Sequence, residues 1–373
     1  MVRRPSPAAK VGQWVFLLVA LVVGGLLINT LGANLAHRNM TFGFGFLLHQ
    51  ANFDIPFHLI DWTIYDIYAK ALLVSLLNTL LVSAMSIVAA TLFGLLVGIM
   101  RLSVNWLVRN LALSFVEFVR NTPQLVQIVF WYFAVLQALP PPRQSILIPG
   151  GSLLNVRGLF VPDLIMHAGA SLLPWLACFA LVATPFVWRL RLRRRRLGAF
   201  ALGLPLGALV LLVVGIDRIE VPVLKGFNIV GAVQVPPELV ALWAGLSIYA
   251  TAFIAEIVRS SIEAVSKGQH EAARSLGLRP AYVLFLIVLP QALRIMVPQL
   301  TSQYLNIIKS STLGAVVAYP DIFQIFAGTV MNHSGKEVET IIVVMAVFLT
   351  INLMFSAFMN WYNWRISLVE RKA

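Results

Sequence analysis

The fold of this chain is decided by Lys267–Pro290, KGQHEAARSLGLRPAYVLFLIVLP, a charged stretch between two apolar segments. Its first half is rich in residues that favour a helix. Gly277 follows at a place where a helix can end in left-handed backbone, and Pro280 suits the first turn of a second helix. We therefore predict a short helix, a turn at Gly277 and a second helix that ends near Pro290. The stretch also contains the small residues Ala272, Ala273 and Gly277. Because small residues let another backbone approach closely, they predict a docking surface in this stretch.

The composition places the chain in a membrane. Of its 373 residues, 59% are hydrophobic and only 12% are charged, whereas a soluble globular domain carries about 25% charged residues. Such a chain cannot cover its surface with polar groups, so lipid must be part of its solvent. The net charge of +13 does not indicate a nucleic-acid partner, because the basic residues lie between apolar runs. The single cysteine, Cys178, lies inside an apolar run, and we interpret it as a small residue facing lipid or another helix.

Eight apolar runs are candidates for crossing a bilayer, which takes about 20 residues of helix. They are 11–36, 71–100, 121–142, 164–188, 197–216, 239–255, 295–320 and 340–364. The sequence therefore predicts an all-α integral membrane protein with about eight transmembrane helices. The first run is longer than the apolar core of a signal peptide, so we expect it to remain as an N-terminal anchor.

The Lys and Arg residues indicate the orientation, because these residues accumulate in cytoplasmic loops. With the N-terminus inside, 20 of the 28 Lys and Arg residues fall in cytoplasmic segments, and both termini are predicted to be cytoplasmic. The run RLRLRRRR at 189–196 fits an orientation signal that contacts anionic lipid. The docking stretch 267–290 then lies on the cytoplasmic side.

The segments outside the membrane are too short for an independent domain. Residues 37–70 are rich in aromatic residues and are predicted to lie along the outer headgroups, where Trp and Tyr favour the boundary. The loop near 140–163 is rich in Pro and Gly and is predicted to be irregular. The chain has no GxxxxGK[ST] phosphate loop and no HExxH motif. We therefore expect no cofactor, no metal site and no nucleotide hydrolysis in the chain itself.

Lys309 is a charge inside the predicted span 295–320, roughly 20 Å from the start of the span at a rise of 1.5 Å per residue. An ionised group within a membrane usually faces a cavity or a partner. One hypothesis is that Lys309 and its polar neighbours line the substrate pathway or position a substrate carboxylate. The alternative is that Lys309 extends outward to the headgroups, while the serines cap a break in the helix. The polar neighbours are Asn306, Ser310, Ser311 and Thr312.

Two pairs of polar residues are open to more than one interpretation. Asn78 and Thr79 lie inside the span 71–100 and either join helices by hydrogen bonds or line the pathway. Glu256 and Arg259 are three residues apart, so the simpler interpretation is a local ion pair on one helix face. The other is that they form a gate or a subunit contact.

Arg120 precedes Thr122-Pro123 at the start of the predicted span 121–142. Asn121 or Thr122 is expected to cap this helix, with Pro123 in its first position. That interpretation is structural. The alternative is that Arg120, Thr122 and Pro123 belong to a gate or a subunit contact in which Arg120 faces Glu256.

The stretch Lys267–Pro290 carries a family resemblance. Glu271-Ala272-Ala273, Gly277, Ile287 and Leu289-Pro290 stand at the spacing of the EAA motif, so the chain resembles the permeases of ABC importers. The resemblance implies that these residues form coupling helices, which bind in a groove of a separate cytoplasmic ATPase. Glu271 would contact that subunit as charge-assisted pairs do; the simpler alternative is that Glu271 only favours the first turn of a helix.

Three further stretches resemble the polar amino-acid branch of these permeases. They are FVEFVRNTPQLVQIVFWYF at Phe115–Phe133, YATAFIAEIVRSSIEAVSKGQ at Tyr249–Gln269, and LNIIKSSTLGAVVAYPDIF at Leu305–Phe323. The layout resembles the longer permease subunits of general L-amino-acid and glutamate/glutamine/aspartate/asparagine importers. The resemblance implies a type I ABC importer core in a bacterial inner membrane, which moves L-amino acids inward by alternating access.

The resemblance also implies a domain division and a set of partners. An anchor and outer segment (1–70) precede a core in two parts (71–139 and 238–364), with a two-span insertion (140–237) and a cytoplasmic tail (365–373). The partners are a second, related permease subunit, two copies of an ATPase that binds ATP and Mg, a periplasmic amino-acid-binding protein and membrane lipid.

Two other classes of function were weighed against this one. A stand-alone secondary transporter or channel driven by an ion gradient commonly shows inverted repeats, and no convincing repeat is present. A membrane enzyme needs a cluster of catalytic or metal-ligating groups, whereas the six histidines are scattered along the chain.

Overall fold

The computed structural model describes residues 7–37, 42–166, 216–226, 228–279 and 282–366. Within these ranges the protein is mainly helical and is a multi-pass membrane protein. The helices are α1 (Pro7–His37), α2 (Tyr68–Arg101), α3 (Trp106–Asn121), α4 (Gln124–Val129), α5 (Pro237–Glu263), α6 (Lys267–Ser275), α7 (Leu289–Ser310), α8 (Met331–Ser334) and α9 (Glu337–Ile366). Several predicted features lie outside the described residues. They are residues 197–215 of the span 197–216, residues 167–188 of the span 164–188, the arginine run at 189–196, and Cys178.

Among the described residues, four helical segments are long and apolar enough to cross a membrane. They are Tyr68–Arg101, Pro237–Glu263, Val283–Val317 and Glu337–Asn363. Each coincides with a predicted span and extends it at one or both ends. Helix α1 covers the predicted anchor, and its side chains are largely exposed, as apolar side chains facing lipid are.

Helix α5 is the centre of the bundle and packs against α2, α3, α4 and α7. Its buried residues are mostly apolar or small, and they contribute to three separate buried clusters along its length. One end of α5 leads into α6 through three residues, and the other begins beside a small sheet. We call these the α6 end and the sheet end of the bundle.

The predicted span 121–142 is a shorter helix in the structure, Gln124–Leu136, and begins after a break in the chain. Helix α3 ends at Asn121, the chain breaks at Thr122-Pro123, and α4 continues as a π-helical turn at Phe130–Leu136. Helix α4 with its π turn is 13 residues long, which is about 20 Å at 1.5 Å per residue and shorter than a hydrocarbon core of about 30 Å. The break follows from Pro123, which has no N–H for the helix and disfavours helical backbone at the residue before it.

The predicted turn at Gly277 is confirmed, but the second helix does not end at Pro290. Helix α6 stops at Ser275, and Gly277 has a φ of +72°. The π turn Val283–Val288 then runs directly into α7, in which Pro290 is close to the first residue. A π turn shifts the backbone hydrogen bonds by one residue, and near a helix start the missing N–H of a proline costs little. The helix therefore passes through Pro290.

The all-α prediction is wrong for two described segments between α4 and α5, 146–166 and 216–235. The predicted irregular loop near 140–163 contains strands β1 (Ile146–Ile148) and β2 (Ser152–Asn155) and most of β3 (Gly158–Met166). Four more strands precede α5: β4 (Ile216–Glu220), β5 (Val223–Lys225), β6 (Asn228–Val230) and β7 (Ala232–Val235). Strands β1, β2, β3 and β4 pair in this order in one antiparallel sheet, and β7, its fifth strand, also pairs with β3. Strands β5 and β6 form a separate hairpin. Leu164, the first residue of the predicted span 164–188, lies in β3. The prediction misses this strand because a short apolar run has no pattern that distinguishes strand from helix.

The aromatic segment before α2 packs on the bundle; its predicted position along the outer headgroups stays a prediction. Phe46, Phe53 and Trp62 are buried and share a cluster with residues of α2, α9 and the chain near Phe326. Asp66 joins this segment to α2, because it accepts hydrogen bonds from the Thr63 N–H and from Lys70 Nζ, 2.8 and 2.9 Å away. The hydrogen bond from Lys70 is the main cause that holds the pKa of Asp66 below its usual value.

Candidate functional site

A polar cavity of about 230 Å³ lies between α4, α5 and α7. Three predicted pathway residues line it: Asn306, Lys309 and Ser310. The remaining lining residues are Gln124, Tyr249, Ala250, Phe253, Gln303 and Ile307. The cavity lies beside the Thr122-Pro123 break, because Gln124 is the first residue of α4.

One wall of the cavity is polar and the facing wall is aromatic. Gln303, Asn306 and Ser310 recur at intervals of three and four residues, so they share one face of α7. On α5, the rings of Tyr249 and Phe253 have centroids 4.8 Å apart. Amide groups donate and accept hydrogen bonds, and an ammonium group donates three. The wall of α7 can therefore bind a small polar anion or zwitterion against an aromatic surface.

A larger cavity of about 570 Å³ lies on the other side of α5. Its lining is almost entirely apolar, as in Phe93, Phe115, Trp131 and Trp243. Such a wall offers too few polar groups to orient a polar substrate. We therefore place the candidate site in the smaller, polar cavity.

Phe253 separates the cavity from Arg120. The guanidinium carbon of Arg120 lies 5.3 Å from the centroid of the Phe253 ring, within the range of a cation–π contact. Phe253 is one turn nearer to the α6 end of α5 than Tyr249, so Phe253 forms the floor of the cavity on that side, and Arg120 contacts this floor through the Phe253 ring. Sequence reasoning named Arg120 but missed Phe253. The sequence feature that could have identified Phe253 is its position about one helical turn before Glu256.

The predicted capping of a helix at Thr122 is not what the structure has. Thr122 follows the last residue of α3, and its hydroxyl donates to the Phe118 carbonyl, 2.8 Å away. Pro123 precedes the first residue of α4 and has no side-chain hydrogen bond to offer. Asn121 likewise donates to the Glu117 carbonyl of its own helix. Asn121 and Thr122 donate to carbonyls four residues earlier in the chain because they stand at the end of α3, where the last carbonyls lack backbone partners.

Glu256 binds Arg101 and Arg259 in the structure, and Arg120 is placed on Phe253 instead. The predicted local pair Glu256–Arg259 is present, and Arg259 also reaches Glu263. Arg101, the last residue of α2, forms an ion pair with Glu256 across the two helices. Sequence reasoning missed Arg101 because a basic residue after an apolar run is equally typical of any cytoplasmic helix end.

The structure places Asn78 and Thr79 away from the polar cavity. Asn78 is fully buried and donates to the carbonyls of Phe57 and Pro320, 2.8 and 3.0 Å away. The Thr79 hydroxyl accepts from the Ile322 N–H at 3.1 Å. Both side chains therefore attach the chain after α7 to the first half of α2.

Ser311 and Thr312 begin the 3₁₀ turn that follows α7 (Ser311–Val317). The Ser311 hydroxyl is buried and donates to the Ile308 carbonyl, and that of Thr312 donates to the Lys309 carbonyl. These bonds satisfy carbonyls that the change from α to 3₁₀ geometry leaves without partners. Neither residue is among those that line the polar cavity.

The residues of the EAA motif lie on a surface at the α6 end that is largely exposed. Glu271, Ala272 and Gly277 are exposed, whereas Ala273 is buried against Val265, Val283, Val288 and Ala292. Ile287 is half-buried against the same cluster, and Leu289 and Pro290 follow in α7. Next to the motif, large apolar side chains are also exposed: Leu276, Tyr282, Phe285 and Leu286. An exposed apolar patch of this kind marks a site of interaction with a protein or with the membrane.

No group of three or more His, Cys, Asp or Glu side chains in the described ranges is placed to hold a metal ion.

Comparison with known proteins identifies the family. The family described as binding-protein-dependent transport system inner membrane component matches residues 181–368. The chain is 45% identical to the putative amino-acid ABC transporter permease protein YhdX of Escherichia coli, over 97% of this chain and 95% of that protein. It is 42% identical to the general L-amino acid transport system permease protein AapQ of Rhizobium johnstonii, over 95% of this chain and 92% of that protein.

A solved structure agrees on the fold. The crystal structure of an amino acid ABC transporter with histidines superposes with a TM-score of 0.51 at 20% identity, covering 80% of this chain and 95% of that one. The chain therefore belongs to the binding-protein-dependent inner membrane components, the family of ABC transporter permeases, which are transport subunits and not enzymes.

Proposed function

We propose that this chain is the subunit through which an ATP-driven importer carries L-amino acids, and that the cavity between α4, α5 and α7 receives them. The cavity itself is the observation that carries the proposal. It combines the ammonium group of Lys309 with the amides of Gln124, Gln303 and Asn306 beside two aromatic rings. Every amino acid presents a carboxylate to an ammonium group and an α-ammonium group to amide oxygens. The names of the relatives, which specify amino acids, support the same substrate class.

The floor of the cavity fits a gate. Phe253 lines the cavity towards the α6 end, and the Arg120 guanidinium lies against its ring. In alternating access, the floor stays closed while the cavity is open to the outside and opens when the bundle rearranges. Thr122 and Pro123 lie at the break beside the floor, where backbone angles change most easily because no helix hydrogen bond spans Pro123.

The energy comes, in this proposal, from two copies of a separate ATPase that bind ATP and Mg. The chain has no phosphate-binding loop. Its exposed surface around α6 offers the ATPase a carboxylate at Glu271 and apolar side chains such as Leu276 and Phe285. Those side chains suit the buried centre of an interface, with Glu271 at its polar rim.

The complex is proposed to lie in a bacterial inner membrane with both termini in the cytoplasm and eight crossings of this chain. The α6 end then faces the cytoplasm, as the distribution of Lys and Arg supports. Met166 and Ile216 are paired between β3 and β4, so they lie on the same side of the membrane. This supports an even number of crossings between them. A second, related permease subunit completes the pathway, and a periplasmic binding protein delivers the amino acid at the sheet end.

Uptake by the reconstituted complex tests this function. The chain is purified with its ATPase and second permease subunit, reconstituted in proteoliposomes, and supplied with binding protein and a panel of radiolabelled amino acids. We expect uptake that requires ATP on the ATPase side and stops when ATP is replaced by a non-hydrolysable analogue. Uptake that is driven by a proton gradient without ATP would instead show a secondary transporter and overturn the proposal.

A further inference from the structure

Helices α2 and α5 approach each other unusually closely near the α6 end. On α2, Gly94 and Gly98 stand four residues apart and face α5. A Cβ atom on Gly94 would lie 2.6 Å from Ile254 Cγ2, and one on Gly98 would lie 2.7 Å from Val258 Cβ. Two small residues at this spacing are a known means of close helix packing in membranes. The two helices are therefore in direct contact over at least one turn.

A chain of four charged side chains continues this contact beyond Gly98. Arg101 of α2 is paired with Glu256 of α5, Glu256 also binds Arg259, and Arg259 binds Glu263, the last residue of α5. The Arg101 side chain is only 10% exposed, so water screens this pair less than a surface pair. The charges thus connect the end of α2 to the final turn of α5.

The final turn of α5 leads directly to the exposed surface around α6, here called the coupling surface. Only Ala264, Val265 and Ser266 separate α5 from α6. Val265 is buried in the same cluster as Ala273 of α6 and Val283 of the following π turn. A force on α6 is therefore transmitted to the end of α5 through packed side chains, because close-packed contacts shift as units rather than deform.

We propose that Arg101 is a positioning residue that makes α2 and α5 move as one body, so that a movement of α6 reaches both membrane helices. The inference rests on the proposed function and extends it to a residue outside the cavity and the coupling surface. Glycine packing holds the two helices close but resists sliding only weakly, whereas the ion pair between the end of α2 and Glu256 fixes their relative height. Without Arg101, α6 would displace α5 alone, and α2, which carries Asn78 and Thr79, would follow incompletely.

The first test is the ratio of ATP hydrolysed to amino acid transported in proteoliposomes. We expect Arg101→Ala to raise this ratio by about threefold or more, within the range by which residues along a coupling network change coupling. Arg101→Lys, which keeps the charge and assembles with minimal disturbance, should lie between Ala and the wild type. Exposed Arg109 on α3 supplies the control, because Arg109→Ala should leave the ratio unchanged. A wild-type ratio in both Arg101 variants contradicts the proposal.

The second test restores the connection covalently. In a Cys178→Ser background, Arg101→Cys with Glu256→Cys should have a raised ratio, and bridging the two thiols with a short bifunctional maleimide should lower it toward the wild type. A role in folding alone would not respond to crosslinking after assembly. Loss of uptake on crosslinking would mean that the two helices must slide past each other, which overturns the inference while uptake by the uncrosslinked wild type still supports the proposed function.

The third test needs no change at Arg101. Spin labels at Ile99→Cys on α2 and Ala264→Cys after α5, both exposed positions, report the separation of the two helix ends in the Cys178→Ser complex. We expect the same separation with and without bound ATP in a complex that retains uptake. A separation that changes through the cycle shows that the helices move independently.

Discussion

Gly98 of α2 lies so close to Val258 of α5 that no side chain fits between the two helices. A Cβ atom at this position would stand 2.7 Å from Val258 Cβ and 2.9 Å from the Ala255 carbonyl oxygen. We expect Gly98→Val to lower the free energy of unfolding, because forcing extra carbon atoms into a packed contact costs about 1–3 kcal/mol. The midpoint of thermal unfolding of the purified complex measures this.

The control for Gly98 is Gly25→Ala in α1, where an added Cβ meets no atom within 4 Å. That variant should unfold at the wild-type temperature. A Gly98→Val complex with wild-type unfolding temperature and uptake would show that α2 and α5 are not in this contact.

Gly277 carries a conformational requirement rather than a packing one. Its φ is +72°, and no atom lies within 4 Å of an added Cβ. Left-handed backbone costs an ordinary residue about 1–2 kcal/mol, so Gly277→Val should displace α6 from its turn. We expect uptake to be lost while membrane insertion is retained. Gly277→Asn is the control, because Asn tolerates this conformation; survival of uptake in the Val variant would contradict the coupling assignment.

Lys309 is expected to bind the carboxylate of the amino acid. A hydrogen bond to a charged group contributes about 1.5–3 kcal/mol, so Lys309→Met should reduce uptake at low substrate concentration by roughly tenfold or more. Lys309→Arg should retain part of the uptake. Lys225→Met, on an exposed strand outside the bundle, is the matched control. Normal transport by Lys309→Met would leave the interpretation that Lys309 only extends toward the headgroups.

Arg120 is expected to keep the cavity floor closed through its contact with Phe253. Such a contact is worth about 0.5–1 kcal/mol at an exposed site, so Arg120→Gln should open the floor more often without unfolding the bundle. Efflux of preloaded amino acid from proteoliposomes in the absence of ATP should rise. Arg109→Gln, on the same helix, should not change it, and equal efflux from both variants would argue against a gate at Arg120.

Asn78 distinguishes a structural role from pathway lining. Asn78→Leu removes the donors to the Phe57 and Pro320 carbonyls, and a buried group left unsatisfied costs about 1–3 kcal/mol. We expect a clear fall in the unfolding temperature with an unchanged order of preference among amino acids. Asn332→Leu is the control, since exposed Asn332 donates only within its own segment, to Gly328. A stable Asn78→Leu complex with altered preference would indicate pathway lining instead.

The membrane helices and the α6 turn could be predicted because their signals are local. Long apolar runs identify α2, α5 and α9, and a glycine after a helix-favouring stretch identifies the turn at Gly277. The sheet was missed because strands as short as β1 and β2 have too few residues for a periodic pattern. The break at Pro123 was visible in sequence, yet its consequence for the span depended on how α3 and α4 pack against α5.

The candidate site was predictable only along α7. Asn306, Lys309 and Ser310 are polar residues in an apolar run, and they line the cavity together with Gln303. The opposite wall was not predictable, because Tyr249 and Phe253 are ordinary apolar residues of a span until α5 places them against α7. The ion pair of Arg101 with Glu256 likewise joins residues 155 positions apart, for which a single sequence carries no local signal.

The sequence by itself determined that this protein lies in a membrane, that a charged, exposed segment interrupts its helices, and that Lys309 lies within an apolar run. These properties follow from the order of residues along one helix, where hydropathy and spacing act locally. Only the tertiary structure decided that Arg120 contacts Phe253, that Asn78 holds the chain near Pro320, and that Arg101 joins α2 to α5. Those relationships depend on which helix faces which, and packing between distant segments sets that choice.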